Sequence, residues 1–151
     1  MGGTRVVAIH VAKGRRLPMR AVEEAEVEAG RGIVGDRYHG TRHRHVSVQA
    51  AAALADAAEV FGRDVPWELT RRNLTVEGLD AVPTAPGTRV RVGAALLEVV
   101  RVAAPCKLLD DTLGAGAQTA LRRRGGSVLR ALESGTVRVG DPVEVLSGGD
   151  R

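Results

Sequence analysis

The chain has 151 residues, 44 % of them hydrophobic, and carries 22 Lys and Arg against 18 Asp and Glu, for a formal net charge of +4. This length provides one hydrophobic core and is too short for two, so we expect a single domain over residues 1–151 with a disordered tail of a few residues. A single cysteine excludes an intrachain disulfide, and no apolar run approaches the roughly 20 residues of a membrane helix. With no secretory signal pattern at the amino terminus, these features predict a soluble cytoplasmic protein that does not contact a membrane.

Strand patterns dominate the first 50 residues. The segment Thr4 to Ala12 is rich in Val and Ile and predicts a buried first strand, and Pro18 to Glu28 predicts a second extended stretch. Glycines punctuate residues 29–45, which we interpret as a long irregular loop of the kind that often carries binding groups. His45 to Gln49 alternates apolar and polar residues and predicts the next strand.

Helical patterns interrupt the strands later in the chain. The alanine-rich run from Ala50 to Phe61 predicts a helix that Gly62 ends. A short helical turn near Trp67 and a strand from Leu74 to Val76 follow. Residues 107–124 have leucines at helical spacing broken by two glycines, which predicts one or two short amphipathic helices.

Two hairpins are predicted in the last third of the chain. Residues 90–92 lead through Gly93 into 96–99, and residues 137–139 lead through Gly140 into 143–145. In each, a glycine supplies the turn after an alternating strand. The pattern predicts a mostly β fold with a few short helices, built on a closed or sandwiched antiparallel sheet.

Cys106 is the candidate reactive residue. It follows a valine-rich strand and Pro105, which has no N–H for a sheet ladder, so we expect the thiol at a strand end. A thiolate is a soft ligand for a soft metal centre and can also carry a persulfide sulfur, whereas the alternative is a small buried hydrophobe. Lys107 would favour the thiolate if a bend brings both side chains into one cleft.

Arg71, Arg72 and Asn73 form a candidate grip for an anion, because guanidinium groups bind phosphate and carboxylate bidentately. Neighbouring residues on an extended chain point to opposite faces, so we expect one of the two arginines at the site. We favour Arg72, which is directly next to Asn73.

The glycine-flanked loop from Asp36 to His45 carries a dense set of polar side chains, namely Arg37, Tyr38, His39, Arg42, His43 and Arg44. Its three arginines attract an anion and repel a bare divalent cation. A neutral His39 could donate or accept a proton near pH 7. An alternative is a zinc or iron site built from the histidines and Asp36, which are competent ligands.

Several segments, taken in order, resemble the MOSC family, named for the carboxy-terminal domain of molybdenum cofactor sulfurase. They are Gly32–Gly40, His45–Val48, Arg72–Leu79, Arg101–Cys106 and Gly135–Asp141. The resemblance covers essentially the whole chain and implies a MOSC-type β-barrel with a few helices. Since no aminotransferase-like domain is present, the chain resembles a small stand-alone bacterial-type member, and the resemblance implies no cysteine desulfurase activity.

The resemblance implies the molybdenum cofactor, molybdopterin, as the bound group. With it, we assign Cys106 as the metal ligand or sulfur carrier and Cys106 and His39 as catalytic residues. The expected cofactor-binding residues are Asp36, Arg37, Arg71, Arg72, Asn73 and Lys107.

Two functions need the same thiol and the same anion grip. The first is an oxidoreductase that reduces N-hydroxylated or other oxygenated small substrates on the cofactor. The second is a non-catalytic carrier of cofactor or sulfur, whose partners would be cofactor-delivery proteins. A third class, a basic nucleic-acid-binding β domain, follows from the isoelectric point of about 10.2 and two arginine runs, but the chain has few aromatic residues for base stacking.

Overall fold

The computed structural model describes residues 3–104, 107–122 and 124–146. Three helices are found there, α1 (Ala51–Phe61), α2 (Lys107–Leu113) and α3 (Ala117–Ala120), with a 3-10 turn at Trp67–Thr70. The strands are β1 (Arg5–Val11), β2 (Arg20–Val22), β3 (Glu24–Glu28), β4 (Gly32–Ile33), β5 (Val46–Ala50), β6 (Leu74–Glu77), β7 (Arg89–Val92), β8 (Ala95–Val102), β9 (Ser127–Glu133), β10 (Gly135–Arg138) and β11 (Val143–Val145). The predicted class, mostly β with a few short helices, is confirmed.

The strands form two sheets. An eight-stranded sheet has the order β11-β7-β8-β9-β5-β6-β1-β2, and a three-stranded sheet has the order β10-β3-β4. The pair β5 and β6 is parallel, and the connection between them runs through α1 and the 3-10 turn. A parallel pair requires such a crossover, which carries the chain across to start the second strand at the same edge.

The closed barrel that the resemblance implied is not found among the described residues. The large sheet has two ends, at β11 and at β2. One bridge between Arg5 and Pro142, with the backbone N–H of Val6 donating to the carbonyl of Asp141 at 2.9 Å, brings β1 close to the chain before β11. A single bridge is not a strand ladder, so the sheet curls towards closure without completing it.

One of the two predicted hairpins is confirmed and the other is wrong. β7 and β8 pair as a hairpin with Val92 opposite Ala95. In contrast, β10 pairs with β3 in the small sheet, and β11 pairs with β7 in the large sheet. The turn between them is tightened by Asp141, whose carboxylate accepts the backbone N–H of Arg138 at 2.7 Å. Local alternation indicates a strand but not its partner.

The main core contains residues of both sheets. Its fully buried members include Val6, Val27, Ile33, Val46, Leu74, Val76, Val92, Leu97, Leu129 and Val137. A second apolar cluster joins the helices to the 3-10 turn and contains Leu54, Ala57, Val65, Leu109, Ala117 and Leu121. The helices therefore share an apolar cluster of their own, apart from the main core.

The helix predictions are confirmed in position. α1 ends at Gly62, which has a φ of 82° and donates its N–H to the carbonyl of Ala58. This left-handed conformation suits glycine, because other residues adopt it at a steric cost. α2 and α3 are separated by the two predicted glycines. Within the described part of the chain, no helix combines the length and the apolar character needed to span a membrane.

Candidate functional site

The loop predicted to carry binding groups is anchored by Asp36. The buried Asp36 carboxylate accepts the backbone N–H groups of Ala12 at 3.1 Å and Tyr38 at 3.3 Å, and it pairs with Arg37 Nη1 at 3.0 Å. The backbone N–H of Arg37 in turn donates to the carbonyl of Ala12 at 2.8 Å. Asp36 therefore fixes this loop to the end of β1 and orients the Arg37 side chain.

Three guanidinium groups surround the ring of Tyr38. Their central carbons lie 4.2 Å from the ring centroid for Arg44, 4.5 Å for Arg37 and 5.6 Å for Arg15. Contacts at this range are attractive because the ring face is electron-rich. We call Tyr38 with these three residues the Tyr38 arginine cluster. Among the described carboxylates, only Asp36 pairs with a member of it.

The positive charge of this cluster is poorly compensated. Burial lowers the pKa of Arg44; Tyr38 opposes this effect, while repulsion from Arg101, Arg37 and Arg15 adds to it. The buried Nε atoms of Arg37 and Arg44 have no hydrogen-bond partner among the described residues. Arginines that repel one another and have one described carboxylate partner attract an oxyanion such as a phosphate.

Arg71 holds the neighbouring loop. It adopts a left-handed conformation with φ of 63°, and its guanidinium donates to the carbonyls of Leu17 at 2.9 Å and Arg15 at 2.8 Å. The Arg71 carbonyl accepts a bond from Arg37 Nη2 at 2.9 Å. Arg71 therefore joins the two loops that carry the Tyr38 arginine cluster.

Arg72 is buried, with 6 % of its surface exposed, and it points away from that loop. Its Nε donates to the carbonyl of Gly125 at 2.9 Å, and its Nη2 lies 3.5 Å from the carbonyl oxygen of Ala104. Ala104 stands two positions before Cys106. The two arginines diverge as expected, and Arg72 is the one beside the segment that leads to the cysteine.

Asn73 is buried inside the large sheet, with 1 % of its surface exposed. Its Oδ1 accepts the backbone N–H of Ser47 at 3.0 Å and the Ser47 hydroxyl at 3.2 Å, and its Nδ2 donates to the carbonyl of His10 at 3.1 Å. These bonds join β1, β5 and the start of β6. The described contacts of Asn73 therefore stabilise the arrangement of these strands.

His39 contacts a carboxylate. Its Nε2 lies 2.6 Å from Glu28 Oε1, and both side chains are partly exposed. A carboxylate at this distance fixes the orientation of the ring and favours the tautomer with the proton on Nε2. The Nδ1 atom is then the nitrogen with a lone pair to accept a proton.

His45 is held in the neutral form. Its Nε2 donates to the Thr41 carbonyl at 2.7 Å, and its Nδ1 accepts the backbone N–H of Ala131 at 2.9 Å. Burial is the main cause that lowers the pKa of His45, against the opposing bond to Thr41; His43, Arg130 and His39 lower it further. His45 therefore fastens the loop to β9.

The alternative of a histidine metal site gains no support from the described residues. They contain no group of three or more His, Cys, Asp or Glu side chains that could hold a metal ion. Both ring nitrogens of His45 already bond to backbone groups, and the Asp36 carboxylate is occupied by three donors.

The model of the MOSC domain family matches residues 35–144, which include the loop from Asp36 to His45, the Arg71–Asn73 segment and Cys106. The chain belongs to the MOSC domain family. None of the curated proteins matches it.

Solved structures share the fold of this MOSC domain. The YuaD protein from Bacillus subtilis superposes with a TM-score of 0.81 at 19 % identity, covering 94 % of this chain and 95 % of that one. YiiM from Geobacillus stearothermophilus gives 0.73 at 18 % identity, covering 95 % and 75 %. YiiM from Escherichia coli gives 0.72 at 20 % identity, covering 97 % and 71 %.

Some of the site residues assigned from the sequence fall beyond the described part of this MOSC domain. Cys106 lies outside the described residues, together with Pro105 directly before it. Lys107 is the first residue of α2, and the structure describes its backbone but not its side chain.

Two arginines of the candidate site were not predicted from the sequence. Arg15 stacks on Tyr38, and Arg101 repels the charge of Arg44. Arg15 belongs to the basic run that follows β1, which was the available signal. Nothing in the local sequence of β8 indicates that Arg101 lies near the loop, because that proximity depends on strand order.

Proposed function

We propose that this MOSC-domain protein binds the molybdenum cofactor, with the Tyr38 arginine cluster holding the cofactor's phosphate and Cys106 serving as the metal ligand or sulfur carrier. The observation that carries the proposal is the half-buried guanidinium of Arg44, which stacks on Tyr38 and whose charge is repelled by other arginines. A phosphate beside this cluster would reverse the sign of the local interaction.

Other residues orient the Tyr38 arginine cluster and hold the loops around it. Asp36 orients Arg37 by an ion pair in which both side chains are at most 3 % exposed. Arg71 fastens the Arg15 loop, and Arg72 fastens the chain just before Cys106. Lys107, next in sequence to the cysteine, is proposed to favour its thiolate form.

When bound, the cofactor supplies an oxygen-transfer centre, which suits reduction of N-hydroxylated or other oxygenated small molecules. Within the protein, His39 is proposed to exchange a proton with the substrate through Nδ1, while Glu28 holds Nε2. The arginines of the cluster converge on one ring instead of lying along a face, which favours a small anion over a nucleic acid backbone.

Cofactor analysis tests the proposal. Protein made in a molybdenum-sufficient host should contain pterin and molybdenum near one equivalent. Cys106→Ser should keep its circular dichroism spectrum and lose molybdenum, Arg44→Ala should lose both pterin and molybdenum, and Arg42→Ala, an exposed arginine of the same loop, should retain both.

Wild-type protein without pterin from a competent host would contradict the cofactor assignment, and unchanged molybdenum in a folded Cys106→Ser variant would contradict the role of the thiol. Full cofactor content without reduction of any N-hydroxylated test compound would identify the protein as a carrier.

A further inference from the structure

A cleft of about 410 Å³ lies beside the end of β8 and is separate from the Tyr38 arginine cluster. Its described walls include Ala50 and Ala53 at the start of α1, Val82 and Thr84 on the loop before β7, Val102 and Arg124. The volume is within the range of roughly 300–1,000 Å³ that is typical of small-molecule sites. We call it the Arg124 cleft.

The walls of the cleft are held in place by hydrogen bonds. The Ser127 hydroxyl donates to the carbonyl of Pro83 at 2.5 Å, which fastens the loop wall to β9. The backbone N–H of Ala103 donates to the carbonyl of Gly126 at 2.9 Å, which fastens the end of β8. Gly126 has a φ of 88°, and a Cβ there would lie 1.8 Å from the carbonyl oxygen of Val48, so this wall requires glycine. The cleft is therefore a preformed feature.

The cleft has an apolar lining with one cation. Alanine and valine form most of its described walls, no carboxylate is among them, and Arg124 is the only charged side chain. Arg124 Nη1 donates to the carbonyl of Ala120 at 3.0 Å, which leaves its other donors outside any described ion pair. The first turn of α1 adds charge of the same sign, since it contains no acidic residue and Ala50 provides no capping bond.

We propose that the Arg124 cleft binds a small molecule with an apolar body and one carboxylate or similar anionic group. The anionic group would pair with Arg124, and the apolar body would contact Val82, Val102 and Ala53. This binding goes beyond the proposed function and does not require the cofactor.

Titration of the purified full-length chain with benzoate, followed by backbone amide NMR shifts, tests the proposal. Saturable shifts should appear at Ala53, Thr84 and Val102. Benzamide, of equal size and without charge, should bind about tenfold more weakly, because a charge-assisted hydrogen bond is lost.

Matched variants locate the site. Arg124→Gln should weaken benzoate binding about tenfold. Ala81→Phe, at an exposed wall position, should block the cleft without disturbing the core. Arg122→Gln, an exposed arginine two positions away, and Arg44→Ala, in the Tyr38 arginine cluster, should leave benzoate affinity unchanged.

Two results with the wild type would overturn the proposal: equal affinity for benzoate and benzamide, or no saturable shift at the cleft. Two results with the variants would also overturn it: equal losses of affinity in Arg124→Gln and Arg122→Gln, or loss of binding in Arg44→Ala. The result is distinguishable from failure of the proposed function, because a protein without molybdenum should still bind benzoate at the cleft.

Discussion

The Nε of Arg72 donates a 2.9 Å hydrogen bond to the carbonyl of Gly125, 53 residues later in the chain. The same guanidinium lies 3.5 Å from the carbonyl oxygen of Ala104. The chain between these two carbonyls contains Cys106, α2 and α3. One buried side chain therefore ties together both ends of the segment that carries the cysteine.

Arg72→Ala is expected to lower the free energy of unfolding by about 1–3 kcal/mol, because two carbonyls lose their donor. Arg72→Lys should recover little of this loss, since a single ammonium cannot reproduce the guanidinium fork. Urea denaturation measures the effect. Arg122→Ala, at an exposed position, is the control and should change stability much less. An Arg72→Ala variant as stable as the wild type would contradict a stabilising role for the Arg72 hydrogen bonds.

Arg44→Ala should leave stability in low salt unchanged or raised, because repulsion from Arg101, Arg37 and Arg15 is removed. Phosphate, compared with chloride at equal ionic strength, should raise the melting temperature of the wild type by about 2–4 °C, which corresponds to about 1 kcal/mol. Arg44→Ala should lose this response and the exposed Arg42→Ala should keep it. Equal responses in both variants would argue against a phosphate site at Tyr38.

The lowered pKa of His45 predicts that stability depends on pH. Burial lowers its folded pKa, so between the ordinary value of about 6.5 and that lowered pKa the unfolded state binds more protons than the folded state. The contribution of His45 to the free energy of unfolding should therefore be fully present above pH 6.5 and decrease as the pH drops through this window. Burial also lowers the pKa of His10, against an opposing effect of Glu68, and acts in the same direction.

Urea denaturation at several pH values between 8 and 5 measures this dependence. His45→Gln should flatten the curve, while Arg42→Gln, exposed on the same loop and not among the charges that act on His45, should leave its slope unchanged. A wild-type curve that rises as the pH falls below 6.5 would show the sign to be wrong.

His39→Ala should reduce turnover of an N-hydroxylated test compound by about a hundredfold, the typical contribution of a positioned proton-transfer group, while cofactor content stays the same. Glu28→Gln should cause a smaller loss, because it keeps the ring and weakens only its orientation. His43→Ala is the matched control. Loss of stoichiometric zinc or iron from both histidine variants would instead support a histidine metal site.

Much of the fold could be predicted from local patterns. The positions of β1, β5, α1 and the β7–β8 hairpin follow from apolar periodicity, alanine content and a glycine turn. The pairing of β10 with β3 did not follow, because it joins residues more than 100 positions apart. Loop length and partner choice at that distance depend on the packed core as a whole.

The candidate site divides in the same way. The available chemistry follows from the sequence alone, because composition and motif order are local properties: one thiol, a polar loop rich in arginine and histidine, and the Arg71–Asn73 segment. Which groups meet depends on the folded chain. Folding turns Arg71 towards the Arg15 loop and Arg72 towards Ala104, places Asn73 inside the sheet, and brings Arg44 onto Tyr38. Those outcomes depend on burial and on which carbonyls need donors, and both are set by contacts between distant parts of the chain.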